Sequence, residues 1–476
     1  MAINTWDGAV DTDWNDAGNW NTTGVTDRVP TADDDVVIAN VSNNCVMPDG
    51  LNPTINSLFV ESSASLTAGN NNITIDSHPA SGTNRPIDLS GTFVKGTSTL
   101  TFTYSAAETK YLNFRGVEVH NVVINGANTT FAIGNGALTA SGNLTITAGT
   151  LDTFSAQNNA LTVTGELYMG GGTLTCNASD VIVRNIYGHA GTLSAPSNSS
   201  TNGLEITGKQ PAGGLNNSNY SIYFISTTLT NNDGLIVLSA DENTFIRMPQ
   251  ALGNFKVRND GSSTTRVHEF TMNFECDHNL TLENGTLQSY GATQTLTVGD
   301  DVLLTKGTLG RASNTSAYSF GSLTIAADGI YLATSGTTTL KSETSGGSTY
   351  VNDGTFTHNN GTLLLHADIP DTQVYAGSSS LYNVTSSTGN NVWLKENITI
   401  ANDLTITSGT FGSGGGNDKE VTVHGNVFIS GGEFGNGSET GAYTVKGLVT
   451  LTGGTFDLSS GTINLGGIRN VGGTIQ

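Results

Sequence analysis

Six aspartates near the N-terminus lie close enough together in sequence to act as ligands for a hard cation. They are Asp11, Asp13, Asp16, Asp33, Asp34 and Asp35. Closely spaced acids in loops are common Ca²⁺ ligands, but this spacing matches neither an EF-hand loop nor the glycine-rich nonapeptide of calcium-binding solenoids. The alternative is that they are solvated acids of turns and of a cap, with the run from Asp33 to Asp35 forming a turn closed by Asx-type hydrogen bonds. We therefore predict no metal site and no cofactor, with calcium at these six acids as the alternative.

A second set of carboxylates lies in the less regular middle of the chain. Its members are Asp241, Glu242, Glu269 and Glu275. A glycosidase needs two carboxylates on one face, separated by roughly 5 Å or by roughly 6.5 to 9.5 Å. Glu269 and Glu275 share a strand face only if no corner or bulge intervenes between them. We predict that the protein is not an enzyme and has no catalytic residue, with a polysaccharide depolymerase as the alternative.

The histidines and cysteines show no spacing typical of metal ligands. The histidines, which we interpret as surface or corner residues, are His78, His120, His189, His268, His278, His358, His366 and His424. Cys45, Cys176 and Cys276 are odd in number and form no CxxC pattern, which argues against a disulfide framework and a zinc site. We predict that they are buried, inert thiols.

Several aromatic side chains are of the kind that stacks on sugar rings when it is exposed. They are Tyr111, Phe114, Tyr220, Tyr223, Phe224, Tyr375, Tyr382 and Trp393. Aromatic rings also supply much of the apolar area of protein cores. We expect most of these rings to fill corners of the core.

A repeated phrase indicates the elements that must position these residues. An alternating apolar run, a polar pair and then Gly-Thr-Leu or Gly-Thr-Phe recurs, as in NLTITAGTL from Asn143, NLTLENGTL from Asn279 and DLTITSGTF from Asp403. Glycines of neighbouring copies, such as Gly149 and Gly172, are 22 or 23 residues apart. A period in the low twenties with two-residue alternation is typical of one solenoid turn. We predict an all-β, elongated β-solenoid (parallel β-helix) of about 22-residue coils.

A second repeated phrase lies between the copies of the first, as in LTVTGELYM from Leu161 and VTVHGNVFI from Val421. Its glycines are Gly165, Gly299, Gly425 and Gly447. They fall where the chain must turn from one strand to the next, and glycine reaches positive φ at no steric cost. Each coil is therefore expected to hold at least two strands and two corners, with its alternate apolar residues pointing inwards.

A longer period aligns Leu100, Leu235 and Leu363, which are 135 and 128 residues apart. We interpret it as three degenerate copies of a unit of several coils, with an N-terminal segment in front. The predicted segments are a cap or attachment segment at 1–50, solenoid unit 1 at 51–203, a more irregular solenoid unit 2 at 204–330, and solenoid unit 3 at 331–476.

The charge balance restricts the partners. The formal net charge is −22, from 40 acids and 18 bases, and no basic stripe is visible, so we predict no nucleic-acid partner. No segment is long and apolar enough to span a bilayer, so we predict no membrane insertion. The opening MAINTWDGAV has no signal-peptide features, and we expect a chain made and kept in a cytoplasm unless a signal was removed.

Three of the four tryptophans, Trp6, Trp14 and Trp20, lie within fifteen positions. We predict that they form a cap on the first coil, which would otherwise expose strand edges and core. The stretch WDGAVDTDWNDAGNW from Trp6, with VPTADDDVVI from Val29, resembles the N-terminal signature of repetitive β-helical proteins found among marine bacteriophage virion proteins and bacterial adhesin-like proteins. The resemblance implies a β-helical surface protein and assigns no active site.

Two functional hypotheses follow from this resemblance. The first is a non-catalytic structural protein of a bacteriophage virion, either a capsid decoration or fibre or a tail spike or fibre, with attachment to the host surface as part of the role. The second is a secreted bacterial adhesin or matrix protein at the cell surface, with its signal sequence missing. For the first we expect assembly in the host cytoplasm and a place on the virion surface.

The last residues, GTINLGGIRNVGGTIQ from Gly461, keep the style of the repeat without a cap. An open final coil is an edge that proteins cover by pairing or by another subunit. The expected partners are therefore other virion proteins and symmetry mates in a homo-oligomer, and a host surface glycan.

Overall fold

The computed structural model describes residues 2–76, 84–197, 199–210, 219–259, 266–342, 347–366, 371–414 and 418–476. The chain is all-β and forms a β-solenoid of about 19 turns of roughly 22 residues, which confirms the predicted fold class and coil length. It divides into two compact units, Met1–Ala240 and Asp241–Gln476. The four segments predicted above describe sequence repeats rather than compact units, and they stay a prediction.

The first compact unit contains strands β1 to β22 and one 3-10 turn, Ala17–Asn19. In chain order its strands are Ala2–Trp6, Trp20–Thr22, Asp34–Ile38, Cys45–Val46, Thr54–Ile55, Ser57–Val60, Ser65–Thr67, Asn72–Ile75, Ile87–Leu89, Thr92–Val94, Thr99–Phe102, Thr109–Asn113, Glu118–Val119, Asn121–Ile133, Leu138–Ala140, Leu144–Asp152, Leu161–Thr175, Val181–Ser194, Leu204–Ile206, Tyr220–Phe224, Thr228–Thr230 and Leu235–Leu238. Many of them are as short as three to five residues, as expected for a coil that turns repeatedly.

The second compact unit contains strands β23 to β49. In chain order they are Thr244–Arg247, Asn254–Val257, Val267–Phe270, Phe274–Cys276, Leu280–Leu282, Thr286–Ser289, Leu296–Val298, Asp301–Leu304, Thr308–Gly310, Tyr318–Phe320, Ser322–Ile325, Ile330–Leu332, Thr337–Leu340, Ser348–Asn352, Thr355–Thr357, Thr362–Leu365, Asp371–Tyr375, Asn383–Leu394, Ile398–Ile400, Leu404–Gly412, Val421–Val423, Val427–Ile429, Glu433–Phe434, Tyr443–Leu451, Thr455–Phe456, Ile463–Asn470 and Thr474–Ile475. No α-helix occurs among the residues that the structure describes, and thus no helix there is long and apolar enough to cross a membrane.

Successive coils of the first unit pair in parallel and in register. Leu144 lies opposite Leu167, which lies opposite Ile186 on the following coil. All three side chains are almost completely buried, and each such side chain stabilises the fold by about 1.5 to 3 kcal/mol relative to an exposed position. The stacked leucines that the repeat predicts are therefore the core of this unit.

The second unit is built in the same way. Leu280 lies opposite Val302, and Leu404 lies opposite Val427, and these four side chains are fully buried. Side chains at the intervening positions point outwards, because successive residues of a strand face opposite sides of the sheet. The period-two pattern of the sequence therefore separates core from surface in both units.

The glycines meet two different requirements. Gly149 has a φ of 76°, and a Cβ there would lie 2.2 Å from the carbonyl oxygen of Gly126 on the neighbouring coil. Gly165 and Gly447 do not adopt positive φ, so the expectation for this second set is wrong. A Cβ at Gly165 would lie 2.5 Å from the carbonyl oxygen of Gly142, so the close approach of two coils, rather than the backbone angle, requires glycine there.

His268 lies in the core, unlike the other histidines that the structure describes. His268, on β25, is fully buried, which corrects its interpretation as a surface or corner residue. Its Nδ1 lies 2.9 Å from Oγ1 of Thr244, and its Nε2 lies 3.1 Å from Oδ1 of Asn259. A neutral ring with the proton on Nε2 satisfies both contacts, and burial lowers the pKa of His268 to about 4.

This buried imidazole predicts an acid-sensitive contribution to stability. In the unfolded chain this histidine is protonated below its ordinary pKa of about 6.5, whereas in the folded chain it is protonated only below a pKa of about 4. The free energy of unfolding therefore decreases as the pH is lowered from about 6.5 to about 4. We expect the free energy of unfolding to lose about 3 kcal/mol more over this range than in the variant His268→Gln. Urea unfolding at pH 7, 5.5 and 4 measures the two slopes, and equal slopes would contradict the assignment.

Candidate functional site

The tryptophans form the N-terminal cluster that the sequence predicts. Trp6, Trp14 and Trp20 are at most 1% exposed. The ring of Trp20 meets that of Trp6 at 5.1 Å and that of Trp14 at 4.7 Å, both edge to face, a favourable geometry for aromatic pairs. Strand β1 is held between β2, its antiparallel partner, and β3, its parallel partner. Trp6 and Trp20 therefore belong to the sheet that begins the solenoid.

The first three aspartates of the calcium candidate set are engaged in turns. Each of Asp11, Asp13 and Asp16 accepts a hydrogen bond on its Oδ1 from the backbone N–H two residues further on, at 2.8, 2.9 and 2.8 Å. Asp11 also accepts one from Nδ2 of Asn19 at 2.7 Å. The backbone hydrogen bond, and then that from Asn19, lower the pKa of Asp11. These contacts are Asx turns, and they agree with the expectation that the three acids lie in turns.

The second three aspartates occupy different environments. Asp33 is exposed, whereas Asp34 is fully buried and lies against the guanidinium of Arg28, whose Nη2 donates a hydrogen bond at 2.7 Å. The backbone N–H and the hydroxyl of Thr31 donate to Oδ2 of Asp34 at 2.8 and 2.9 Å. Burial raises the pKa of Asp34, but these hydrogen bonds outweigh it and the net pKa is lowered. Asp34 is thus an ionised, fully satisfied structural carboxylate. Asp34 and Asp35 are buried on β3, which corrects their interpretation as solvated acids of a turn.

Asp35 is likewise committed to the fold. It is 3% exposed, and its Oδ1 accepts hydrogen bonds from Nδ2 of Asn56 at 2.6 Å and from Oγ of Ser57 at 2.7 Å. No group of three or more histidine, cysteine, aspartate or glutamate side chains that could hold a metal ion is found within the described ranges. Calcium binding by these six acids stays the untested alternative.

The carboxylates of the middle segment are not brought onto one strand. Glu269 lies on β25 and Glu275 on β26, and the chain turns between the two strands. Glu269 accepts a hydrogen bond from Nε2 of Gln288 at 2.7 Å, and Asp241 accepts one from Nε of Arg266 at 3.1 Å. The condition for a shared strand face is therefore not met, although no observation tests catalysis itself.

The cysteines lie in the core, as the sequence predicts. Cys45, Cys176 and Cys276 are buried and not joined in disulfides. Burial, and then neighbouring carboxylates, raise the pKa of each thiol, which suppresses the reactive thiolate.

Among the histidine candidates, His78 lies outside the described residues.

Most of the aromatic candidates are not core residues, which corrects the expectation. Phe114 and Phe224 are buried. The remaining six are half-buried: Tyr111, Tyr220, Tyr223, Tyr375, Tyr382 and Trp393. Four of them, Tyr111, Tyr223, Tyr375 and Trp393, stand at positions of their strands that alternate with buried residues, so these four rings face the surface of the solenoid.

Three tyrosines on successive coils form a ladder. Tyr168 lies opposite Tyr187, which lies opposite Tyr223, and the ring centroids are 5.3 and 5.6 Å apart. Such cross-strand aromatic pairs stabilise a sheet by roughly 0.2 to 1 kcal/mol each. Tyr187 is only 6% exposed. The rings of this ladder therefore pack mainly against one another.

A polar cleft on the first unit is the strongest candidate for a binding site. It encloses about 270 Å³. Its lining residues are Arg85, Tyr111, Asn113, Gly134, Asn135 and Gln157. Tyr111 and Asn113 project from β12, which pairs with β14 directly before Gly134. The cleft thus combines an aromatic ring, three side-chain amides and a guanidinium.

Two of the lining residues, Tyr111 and Asn113, are closely packed against their neighbours. Phe154 meets the ring of Tyr111 edge to face at 5.5 Å, which holds the tyrosine in place. A Cβ at Gly134 would lie 2.7 Å from Oδ1 of Asn113 and 2.8 Å from Cβ of Tyr111. Glycine at this position therefore leaves room for both side chains.

Sequence reasoning singled out Tyr111 but missed the other lining residues. One signal was present, because Asn113, Asn135 and Gln157 follow one another at intervals of 22 residues, the length of one coil. Residues at that spacing stack on one face of a solenoid. Amide residues that recur at the length of one coil therefore indicate a row of polar side chains along one face of the solenoid.

Comparison with known proteins yields one similarity. Residues 5–103 match a family described as Domain of unknown function (DUF8693), and this match covers about a fifth of the chain. No curated protein and no solved structure matches. The matched segment contains the tryptophan cluster and the first coils, including Arg85 of the cleft.

The buried carboxylate of Asp34 generates a test of the N-terminal segment. We expect Arg28→Met to lower the free energy of unfolding by about 2 kcal/mol, because it leaves the buried carboxylate of Asp34 without its cation. This loss is smaller than that expected for a fully buried ion pair, since Arg28 is partly exposed. Urea unfolding followed by tryptophan fluorescence, dominated by the cluster, measures it. The control Asp33→Asn alters an exposed neighbour and should change stability by less than about 0.5 kcal/mol. Equal effects of the two changes would contradict this role for Arg28.

Proposed function

We propose that this protein is a non-catalytic structural protein of a bacteriophage virion surface, either a capsid decoration or fibre or a tail spike or fibre. The observation that carries the proposal is the parallel stacking of coils in both units, as between Leu144 and Leu167 and between Leu280 and Val302. This stacking gives the protein a defined, repetitive surface. The segment from Trp6 to Trp20 resembles both marine bacteriophage virion proteins and bacterial adhesin-like proteins, which supports a role at a surface.

The use of the acidic residues also supports a structural role. Asp34, Asp35, Glu269 and Asp241 accept hydrogen bonds or pair with cations within the fold. A net charge of −22 keeps a sheet-rich particle protein soluble through self-repulsion. Such a protein is assembled in the host cytoplasm and then displayed on the particle.

The partners belong to the same proposal. We include symmetry mates and other virion proteins among the partners, together with a host surface glycan.

Immunogold electron microscopy tests the location. We expect an antibody raised against the purified chain to label intact, gradient-purified phage particles at regular positions, because a structural protein is present in fixed copy number. Particles treated with pre-immune serum are the control. Label confined to the surface of uninfected bacteria would instead favour the adhesin, and would overturn the virion proposal.

A depolymerisation assay tests the absence of catalysis. We expect the purified chain to release no reducing ends from host capsular or exopolysaccharide, because the carboxylates of the middle segment are not paired on one strand. The variant with alanine at Asp241, Glu242, Glu269 and Glu275 is the matched comparison. Cleavage by the unaltered chain that this variant loses would establish the depolymerase instead.

A further inference from the structure

The cleft over Tyr111 presents an apolar ring in a fixed position. Tyr111 is half-buried and its ring is held edge to face by Phe154 at 5.5 Å. A ring fixed by packing loses little freedom when a ligand binds. The C–H groups on one face of a sugar ring form a flat apolar surface that packs against such a ring.

The amides around the ring offer both an acceptor and a donor. Asn113 uses its Nδ2 to donate to Oδ2 of Asp88 at 3.2 Å, which leaves its Oδ1 as an acceptor above Gly134. Gln157 uses its Oε1 to accept from Nδ2 of Asn159 at 3.1 Å, which leaves its Nε2 as a donor. Hydroxyl groups both donate and accept, so neighbouring hydroxyls of a sugar fit this pair.

Arg85 alone is charged among the six residues that line the cleft. A guanidinium binds a carboxylate through two parallel hydrogen bonds. The nearby acid does not oppose this, since Asp88 is paired with Arg115, which donates from Nε and Nη2 at 2.5 and 2.9 Å. The cleft thus favours an anionic ligand although the chain as a whole is acidic.

We propose that this cleft binds a carboxylate-bearing pyranose, such as a uronic acid unit of a surface polysaccharide. Tyr111 packs against the sugar face, Asn113 and Gln157 bond its hydroxyls, and Arg85 pairs with its carboxylate. A volume of about 270 Å³, near the lower limit of ligand pockets, holds a single sugar ring. The inference rests on the proposed surface role for its biological meaning, because it names the glycan that this surface meets.

Saturation-transfer NMR with the full chain and three probes tests the site: glucuronic acid, glucose and acetate. We expect glucuronic acid to bind about tenfold more tightly than glucose, since the charged pair adds to the ring and hydroxyl contacts. Acetate should bind more weakly than glucuronic acid. Binding of acetate equal to that of glucuronic acid would show recognition of a carboxylate alone, and would overturn the sugar assignment.

Paired variants separate the roles of the two side chains. Tyr111→Ala should abolish binding of both sugars, whereas Arg85→Gln should reduce the affinity for glucuronic acid to the affinity for glucose. The controls are Tyr382→Ala, which removes a half-buried tyrosine of the second unit, and Arg469→Gln, which removes an exposed arginine there; neither should change binding. Thermal unfolding confirms that each variant is folded.

Two results would overturn the site, and neither depends on the virion. One is unchanged glucuronic acid binding in a folded Tyr111→Ala protein. The other is retention of the preference for glucuronic acid over glucose in Arg85→Gln. Failure of the immunogold experiment with sugar binding intact would remove the virion role and leave the site, whereas the reverse pattern would remove the site alone.

Discussion

Every other feature of this protein presupposes that each coil pairs in parallel and in register with its neighbours. Leu144 opposite Leu167, and Leu404 opposite Val427, show this pairing in the two units. A slip of one residue would turn every core side chain outwards, because strand side chains alternate between the faces. The glycines protect this register, since a Cβ at Gly149 or Gly165 would collide with a carbonyl oxygen of the adjacent coil.

The same register decides where chemistry is available. Inward positions hold the apolar core, together with an occasional polar residue such as His268, which is satisfied by two side-chain contacts. Outward positions repeat at the coil length and therefore form rows on the surface. The tyrosine ladder is one such row, and the cleft over Tyr111 is a place where a row of amides meets a guanidinium. A solenoid thus creates a site by aligning ordinary residues rather than by folding a loop around a ligand.

The fold was largely predictable, and the site only in part. The period of 22 or 23 residues and the two-residue alternation predicted the solenoid, its coil length and its stacked leucines, and Trp6, Trp14 and Trp20 form the expected cluster. The reasons assigned to glycines such as Gly165 were wrong, because sequence patterns show where a turn occurs but not which neighbouring atom lies close. Tyr111 was recognised as a candidate ring, whereas its partners Arg85 and Gln157 were not.

Local sequence by itself determined the strands, the corners and the side of the sheet that each residue faces, since these follow from periodicity and from the chemistry of glycine. Tertiary structure alone decided which outward residues meet, because that depends on the lengths of the corners between coils. The aspartates illustrate the difference. They are neighbours in the sequence, but in the fold Asp34 lies against Arg28, Asp35 lies against Asn56, and Asp33 is exposed. Hydrogen bonds available only in the folded coil, rather than proximity in the chain, set the role of each carboxylate.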